Sequence, residues 1–290
     1  MSPEVVTRGR SALLALALLL SLVWVCRDWV ARAAVDVHPL GSTPAPYAYL
    51  ELVPSTPGPH PLVMLLHGRG EVGDGSNPAE LLPRMPPLRD AALAHLFGYA
   101  SPLVEEGALI VAPQTNTDWD VRALDALFEH LLATREIDRD RIYLSGLSMG
   151  GAGAAMYAAE HSERLAAVMP ICGAWEASPA MTSGIGVLPV RAFHGFQDTN
   201  VLPRWTAVWV ASISAHRGGE GVDPLASYPG TDATAVFDGR RFTWRAGTRA
   251  LPEETLTLTE YANVGHVVWP EVYADPETWR WLFAQRRGSR

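Results

Sequence analysis

Arg141-Ile142-Tyr143-Leu144-Ser145-Gly146-Leu147-Ser148-Met149-Gly150-Gly151-Ala152-Gly153 is the stretch from which the rest of this chain can be read. Arg141 to Leu144 reads as a short buried strand. Gly151 to Ala159, all small residues but for Met156 and Tyr157, reads as a helix. Between them stands Gly146-Leu147-Ser148-Met149-Gly150, a G-x-S-x-G. A strand that turns sharply into a helix at this pattern lifts the serine hydroxyl above a sheet, at the positive end of a helix dipole. The two glycines let neighbouring backbone pass close to the turn.

Working outward, short apolar runs alternate with helical patterns. Strand candidates are Tyr47–Val53, Leu62–Leu66, Leu109–Ala112 (stopped by Pro113), Ala166–Ile171, Val190–Phe193 and Leu256–Tyr261. Leu124, Leu127, Phe128, Leu131 and Leu132 recur at helical spacing between Val121 and Arg135. Trp205, Val208, Trp209 and Ile213 form a second such set, and Trp279, Leu282 and Phe283 mark a closing helix. This order predicts an α/β domain with a mostly parallel central sheet and helices on both faces. Such sheets carry their sites at the carboxyl ends of the strands. His67, Ser148, Asp198 and His266 all fall just beyond candidate strands.

Those four positions permit one chemistry. A serine hydroxyl needs a base to take its proton, usually a His oriented by a carboxylate. Downstream of Ser148, the carboxylate in the right place is Asp198 and the imidazole is His266. Asp198 could also simply cap an Asx turn. Asp223, Asp232 and Asp238 lack a preceding strand, and His216 ends an amphipathic helix beside Gly218-Gly219. Acyl transfer also needs donors for an oxyanion, for which the backbone N–H groups of Arg69 and Met149 are the candidates. His67 reads as a structural loop residue, and the Arg69 side chain as a surface partner of Glu71 or Asp74. Trp269, three residues past His266, is placed to wall a substrate pocket; the other tryptophans singled out (Trp119, Trp205, Trp209, Trp279, Trp281) read as core.

The chain resembles the serine esterase side of the α/β-hydrolase superfamily. It is similar to the phospholipase/carboxylesterase and poly(3-hydroxybutyrate) depolymerase-like esterases, a group that includes predicted peptidases. The matching pieces are His67 to Asp74, Val111-Ala112-Pro113-Gln114, Gly146 to Gly151, His194-Gly195 with Asp198, Gly265-His266 with Trp269, and Tyr273 to Pro276 with Trp279, Trp281, Leu282 and Gln285. The resemblance spans roughly residues 45 to 286. It implies the α/β-hydrolase fold, a Ser148/Asp198/His266 triad, and ester hydrolysis through an acyl-enzyme without metal or other cofactor. The alternatives are a peptidase of the same fold and a catalytically silent binding protein. The departure is a segment of about forty residues, 218–255, before the last strand. Alternation around Asp238-Gly239 predicts a β-hairpin with a type I′ turn there, as a surface elaboration or as a flap presenting Phe242 or Trp244.

Composition bounds the rest. The 290 residues include 23 basic ones, all Arg, so no Lys serves as base or Schiff-base former. A net charge of −8 disfavours nucleic acid or anionic lipid as partner; the expected partner is a small-molecule or polymeric ester. Residues 1–34 read as a signal peptide or N-terminal anchor ahead of a single domain, 35–290. Arg8 and Arg10 precede the apolar run Ser11–Cys26, and Ala31-Arg32-Ala33 offers an A-x-A cleavage site. Export to the periplasm or outside follows, or attachment to the membrane through residues 11–26. Trp24 and Val25 stand where a lipoprotein signal ending at Cys26 wants small residues. Cys172 reads as a buried structural thiol.

Overall fold

The computed structural model describes residues 26–173, 179–218, 235–237, 241–245 and 255–288. Its ten strands form one sheet: β1 (Asp36–His38), β2 (Ala48–Leu52), β3 (His60–Leu66), β4 (Leu109–Gln114), β5 (Ile137–Leu147), β6 (Ala167–Ile171), β7 (Val190–Gly195), β8 (Ala235–Phe237), β9 (Arg241–Arg245) and β10 (Leu256–Tyr261). The order across the sheet is β1-β2-β4-β3-β5-β6-β7-β10-β9-β8. From β4 to β10 every neighbouring pair is parallel. The outer pairs are antiparallel.

The continuous apolar runs follow from burial on both faces. Along β3, Leu62, Met64 and Leu66 enter one core and Val63 and Leu65 the other. The first core packs against helices α4 (Val121–Thr134), α5 (Met149–Glu160) and α7 (Pro203–His216). The second packs against α1 (Arg27–Ala31), α2 (Pro86–Phe97) and α9 (Pro276–Ala284). Between these helices in sequence lie α3 (Pro102–Glu105), α6 (Pro179–Ile185) and α8 (Trp269–Ala274). The packed chain thus begins ahead of residue 35, because Ala31 is fully buried in the second core. Pro113 does not stop its strand. Pairing of β3 with β4 ends at Val111, so on that side Pro113 leaves no ladder acceptor wanting an N–H.

The expected hairpin is β8–β9, which pairs onto β10 and extends the sheet at its edge. Phe237 of β8 pairs with Phe242 of β9. The turn itself and most of segment 218–255, with Asp223, Asp232 and Asp238, lie outside the described residues.

On β2, Glu51 is fully buried. The Arg135 guanidinium, just past α4, donates to both of its oxygens at 2.7 Å, and His38 Nε2 lies 3.0 Å from one of them. This fork ties α4 to the sheet, and Glu51 in turn holds the Arg135 guanidinium above its ordinary range through the hydrogen bond. Arg135→Ala leaves a buried carboxylate short of its main partner and is expected to cost about 3 kcal/mol in urea unfolding. Glu51→Leu with Arg135→Met should cost less than Arg135→Ala alone. The reverse order would contradict this account of the pair.

Candidate active site

Ser148 lies between β5 and α5 with φ 53° and ψ −119°, a conformation unusual for a residue with a side chain. Its N–H donates to Ile171 O at 2.8 Å and its carbonyl accepts from Ala152 N–H at 3.1 Å, so both peptide groups are held. The flanking glycines are required by contact: a Cβ at Gly146 would lie 2.2 Å from Gly150 O, and one at Gly150 would lie 2.2 Å from Leu66 O. The turn is therefore wedged between β3 and the first turn of its own helix.

The imidazole of His266, from the loop after β10, meets this hydroxyl. Nε2 is 2.9 Å from Ser148 Oγ, and Nδ1 is 2.7 Å from Asp198 Oδ2. Asp198 comes from the loop after β7, the parallel neighbour of β10. The two loops are stitched by Gln197 N–H to Val264 O and Phe196 N–H to Tyr261 O. They cross so closely that a Cβ at Gly195 would sit 1.9 Å from Gly265 O.

Asp198 is buried, and its two oxygens divide the work. Oδ1 accepts from the N–H groups of Asn200 and Val201, closing an Asx turn. Oδ2 accepts from His266 and from His194 Nε2 at 3.0 Å. The turn and the imidazole contact, alternatives in the sequence, coexist. Burial alone would raise this carboxyl, but the hydrogen bonds from His194, His266, Val201 and Asn200 hold it well below the usual carboxylate range. An ionised Oδ2 fixes the hydrogen of His266 on Nδ1, which leaves the Nε2 lone pair facing Ser148.

His194, which the sequence sets near Asp198 without a role, is a second partner of this carboxylate. It is fully buried. Its Nε2 faces two acceptors, Asp198 Oδ2 and Val201 O (2.9 Å), so that nitrogen carries hydrogen; Thr206 Oγ1 lies 2.8 Å from Nδ1. The available signal was its spacing, four residues before Asp198 at the end of the same strand.

His67, also fully buried, pins the loop after β3. Nε2 accepts the Thr115 N–H at 3.0 Å, so Nδ1 carries the hydrogen and donates to Gly68 O at 2.7 Å. Trp119 Nε1 donates to His67 O. The loop lies beside the serine, since a Cβ at Gly68 would be 3.3 Å from Ser148 Cβ. Arg69 opens the short 3₁₀ turn Arg69–Glu71, and Met149 opens α5. N–H groups at such first positions lack intrahelical acceptors. The Arg69 side chain pairs across the loops with Asp118, not with Glu71 or Asp74. Glu71 instead accepts the Gly68 N–H.

Trp269 stands edge-on to His266, with ring centroids 5.7 Å apart. Trp119, Trp209, Trp279 and Trp281 are core, whereas Trp205 is exposed. His216 is exposed at the end of α7. Cys172 is buried, and burial pushes its thiol up to about 12. Among the described residues no cluster of His, Cys, Asp or Glu is arranged to hold a metal ion.

The sheet order, the strained serine turn and the Ser–Asp–His order along the chain belong to the α/β-hydrolase fold. Solved structures agree. A thermostable esterase is similar at 24% identity, with a TM-score of 0.60 over 87% of this chain and 63% of that one. An acetyl xylan esterase from Aspergillus awamori is similar at 15% identity, with a TM-score of 0.60 over 85% of this chain and 99% of that one. Among curated proteins, the putative esterase NocK of Nocardia uniformis subsp. tsuyamanensis is 31% identical over 149 residues, which cover 50% of this chain. The match spans 42% of that relative's length. No family model matches the chain.

Two predictions follow from these contacts. Burial pushes the His67 imidazole down from 6.5 to about 4, against the pull of its bond to Gly68 O. Between those values the unfolded chain binds a proton that the folded chain refuses. Stability therefore falls as pH drops through this window, by about 3 kcal/mol at its lower end. Asp198, whose carboxyl is depressed below 3.8, acts only beneath it. Urea unfolding should show a steeper loss from pH 6.5 to 4 in the parent than in His67→Gln; equal slopes would contradict the pinning role. His194→Ala removes a buried donor to Asp198 and Val201, and should lower the unfolding free energy by about 1–3 kcal/mol. No loss would mean the Asp198 loop is held without it.

Proposed function

We propose that this protein hydrolyses carboxylic esters through an acyl-enzyme intermediate. The observation that carries the proposal is the unbroken line from Asp198 Oδ2 through His266 to Ser148 Oγ, at 2.7 and 2.9 Å. His266 Nε2 takes the hydroxyl proton as Ser148 Oγ attacks the ester carbonyl carbon. The Arg69 and Met149 N–H groups receive the oxyanion. One such donor is worth about 2.7–4 kcal/mol of barrier. The tetrahedral centre then expels the alkoxide, which takes the proton from His266 and leaves as alcohol. Water, deprotonated by His266, attacks the acyl-enzyme and releases acid and free Ser148.

Asp198 holds the imidazole in the productive tautomer and stabilises its cation. His194 keeps the carboxylate ionised and in place. Trp269, beside His266, walls the side where the leaving group departs. Similarity to esterases in sequence and in fold supports this reading.

Turnover of p-nitrophenyl esters of increasing acyl length, beside a peptide anilide series, tests the proposal. Ester hydrolysis should fall about 10⁶-fold in Ser148→Ala. More than a few per cent of activity in that variant would refute the mechanism. Anilide turnover without ester preference would make the protein a peptidase.

A further inference from the structure

We infer that the N-terminal apolar run is kept in the mature protein and tethers the folded domain to a membrane, with Trp29 at the lipid–water boundary. Two features of the described residues carry this. One is the state of the residues around the A-x-A site.

Removal of a signal peptide after Ala33 would detach Arg27–Ala33 from the domain. These residues are built into it. Ala31 is fully buried in the core between the sheet and α2, Val35 is nearly so, and Val30 and Ala34 pack against the same core. The Val30 N–H donates to Cys26 O and Arg32 Nη1 to Val35 O, so the segment is coiled, not extended. Asp28 lies 3.7 Å from Arg89 Nη1, whose own side chain is nine-tenths buried. Folding and proteolysis compete for the same backbone, and the fold closes the cleavage site.

The other feature is the outer side of the same helix. Trp29 is 81% exposed, two residues from buried Ala31. An indole left in water at this position has no role in the core, whereas indoles collect at membrane interfaces. Cys26, the last residue of the apolar run, directly precedes this helix. Leu96 and Phe97, at the end of the receiving helix α2, are exposed as well.

Arg8 and Arg10 precede the run, and Arg27 and Arg32 follow it, so both of its ends carry arginines. The run is short for the hydrocarbon layer, reaching about 24 Å at the helical rise against about 30 Å. Arg10 and Arg27 can extend it by snorkelling to either surface. No helix among the described residues is long and apolar enough to cross a membrane.

The test is expression of the full chain in a bacterium that exports it, followed by fractionation and intact-mass measurement. The expected result is an unprocessed chain in the membrane pellet that resists salt and alkaline washes and is released by detergent. A soluble chain beginning at Ala34 would overturn the inference, as would a chain beginning at a lipid-modified Cys26. A second readout guards against processing that fails only on overexpression. The full chain is placed in phosphatidylethanolamine/phosphatidylglycerol vesicles with brominated acyl chains. Trp29→Phe should lose part of the tryptophan quenching, while Trp205→Phe, exposed on α7, should lose none. Equal quenching in the parent and Trp29→Phe would overturn the boundary position. Neither readout depends on ester turnover.

Discussion

The conformation of Ser148 is the constraint on which the site rests. A positive φ at a residue with a side chain costs of order 1–3 kcal/mol and persists only where the surroundings over-determine it. Here they do. Both Ser148 peptide groups are bonded, and the flanking positions tolerate no Cβ because backbone atoms of Gly150 and Leu66 lie within 2.2 Å of where it would be. Strand β3 therefore fixes the turn, and the same strand leads into the loop that brings Gly68 beside it. The nucleophile and oxyanion loop of the proposed mechanism thus share one mechanical support.

The base arrives from the other side of the sheet centre, and its precision comes from a second close crossing. At Gly195 and Gly265 the loops after β7 and β10 pass with no room for a side chain. The Asp198 carboxylate between them is satisfied on both oxygens: one by backbone N–H groups of its own turn, the other by two imidazoles. A buried anion so fully bonded stays charged, and its charge keeps the His266 hydrogen on the side away from serine. His194 and His67 act alike in this respect. Each is a fully buried imidazole with partners on both nitrogens: His194 holds the Asp198 loop and meets Thr206 of α7, and His67 holds the loop beside Ser148.

The inner parallel strands β3, β4 and β6 were legible in the sequence because they are buried on both faces and so appear as apolar runs. The meeting of Ser148, Asp198 and His266 at one sheet edge was legible for the same reason, since strand ends fix where the following residues lie. Less could be read where local pattern is weak or the partner is distant. Helix α2 begins with two prolines and carries alanines in place of a clear apolar stripe. The Arg69–Asp118 pair joins loops 49 residues apart, and nothing local distinguishes Asp118 from nearer acids. The burial of Ala31 was hidden because it continues an apolar stretch that reads as a leader. The hairpin was visible as alternation, but its pairing onto β10 joins segments that no local pattern links.

The claim that matters most is that His266 and Asp198 make Ser148 a nucleophile. Reaction with a fluorophosphonate, followed by mass mapping of the adduct, measures this directly, because phosphonylation requires the activated hydroxyl and no turnover. The account predicts one adduct per chain, on the peptide that contains Ser148, and almost none in His266→Ala. Equal labelling in that variant, or an adduct on another residue, would contradict it.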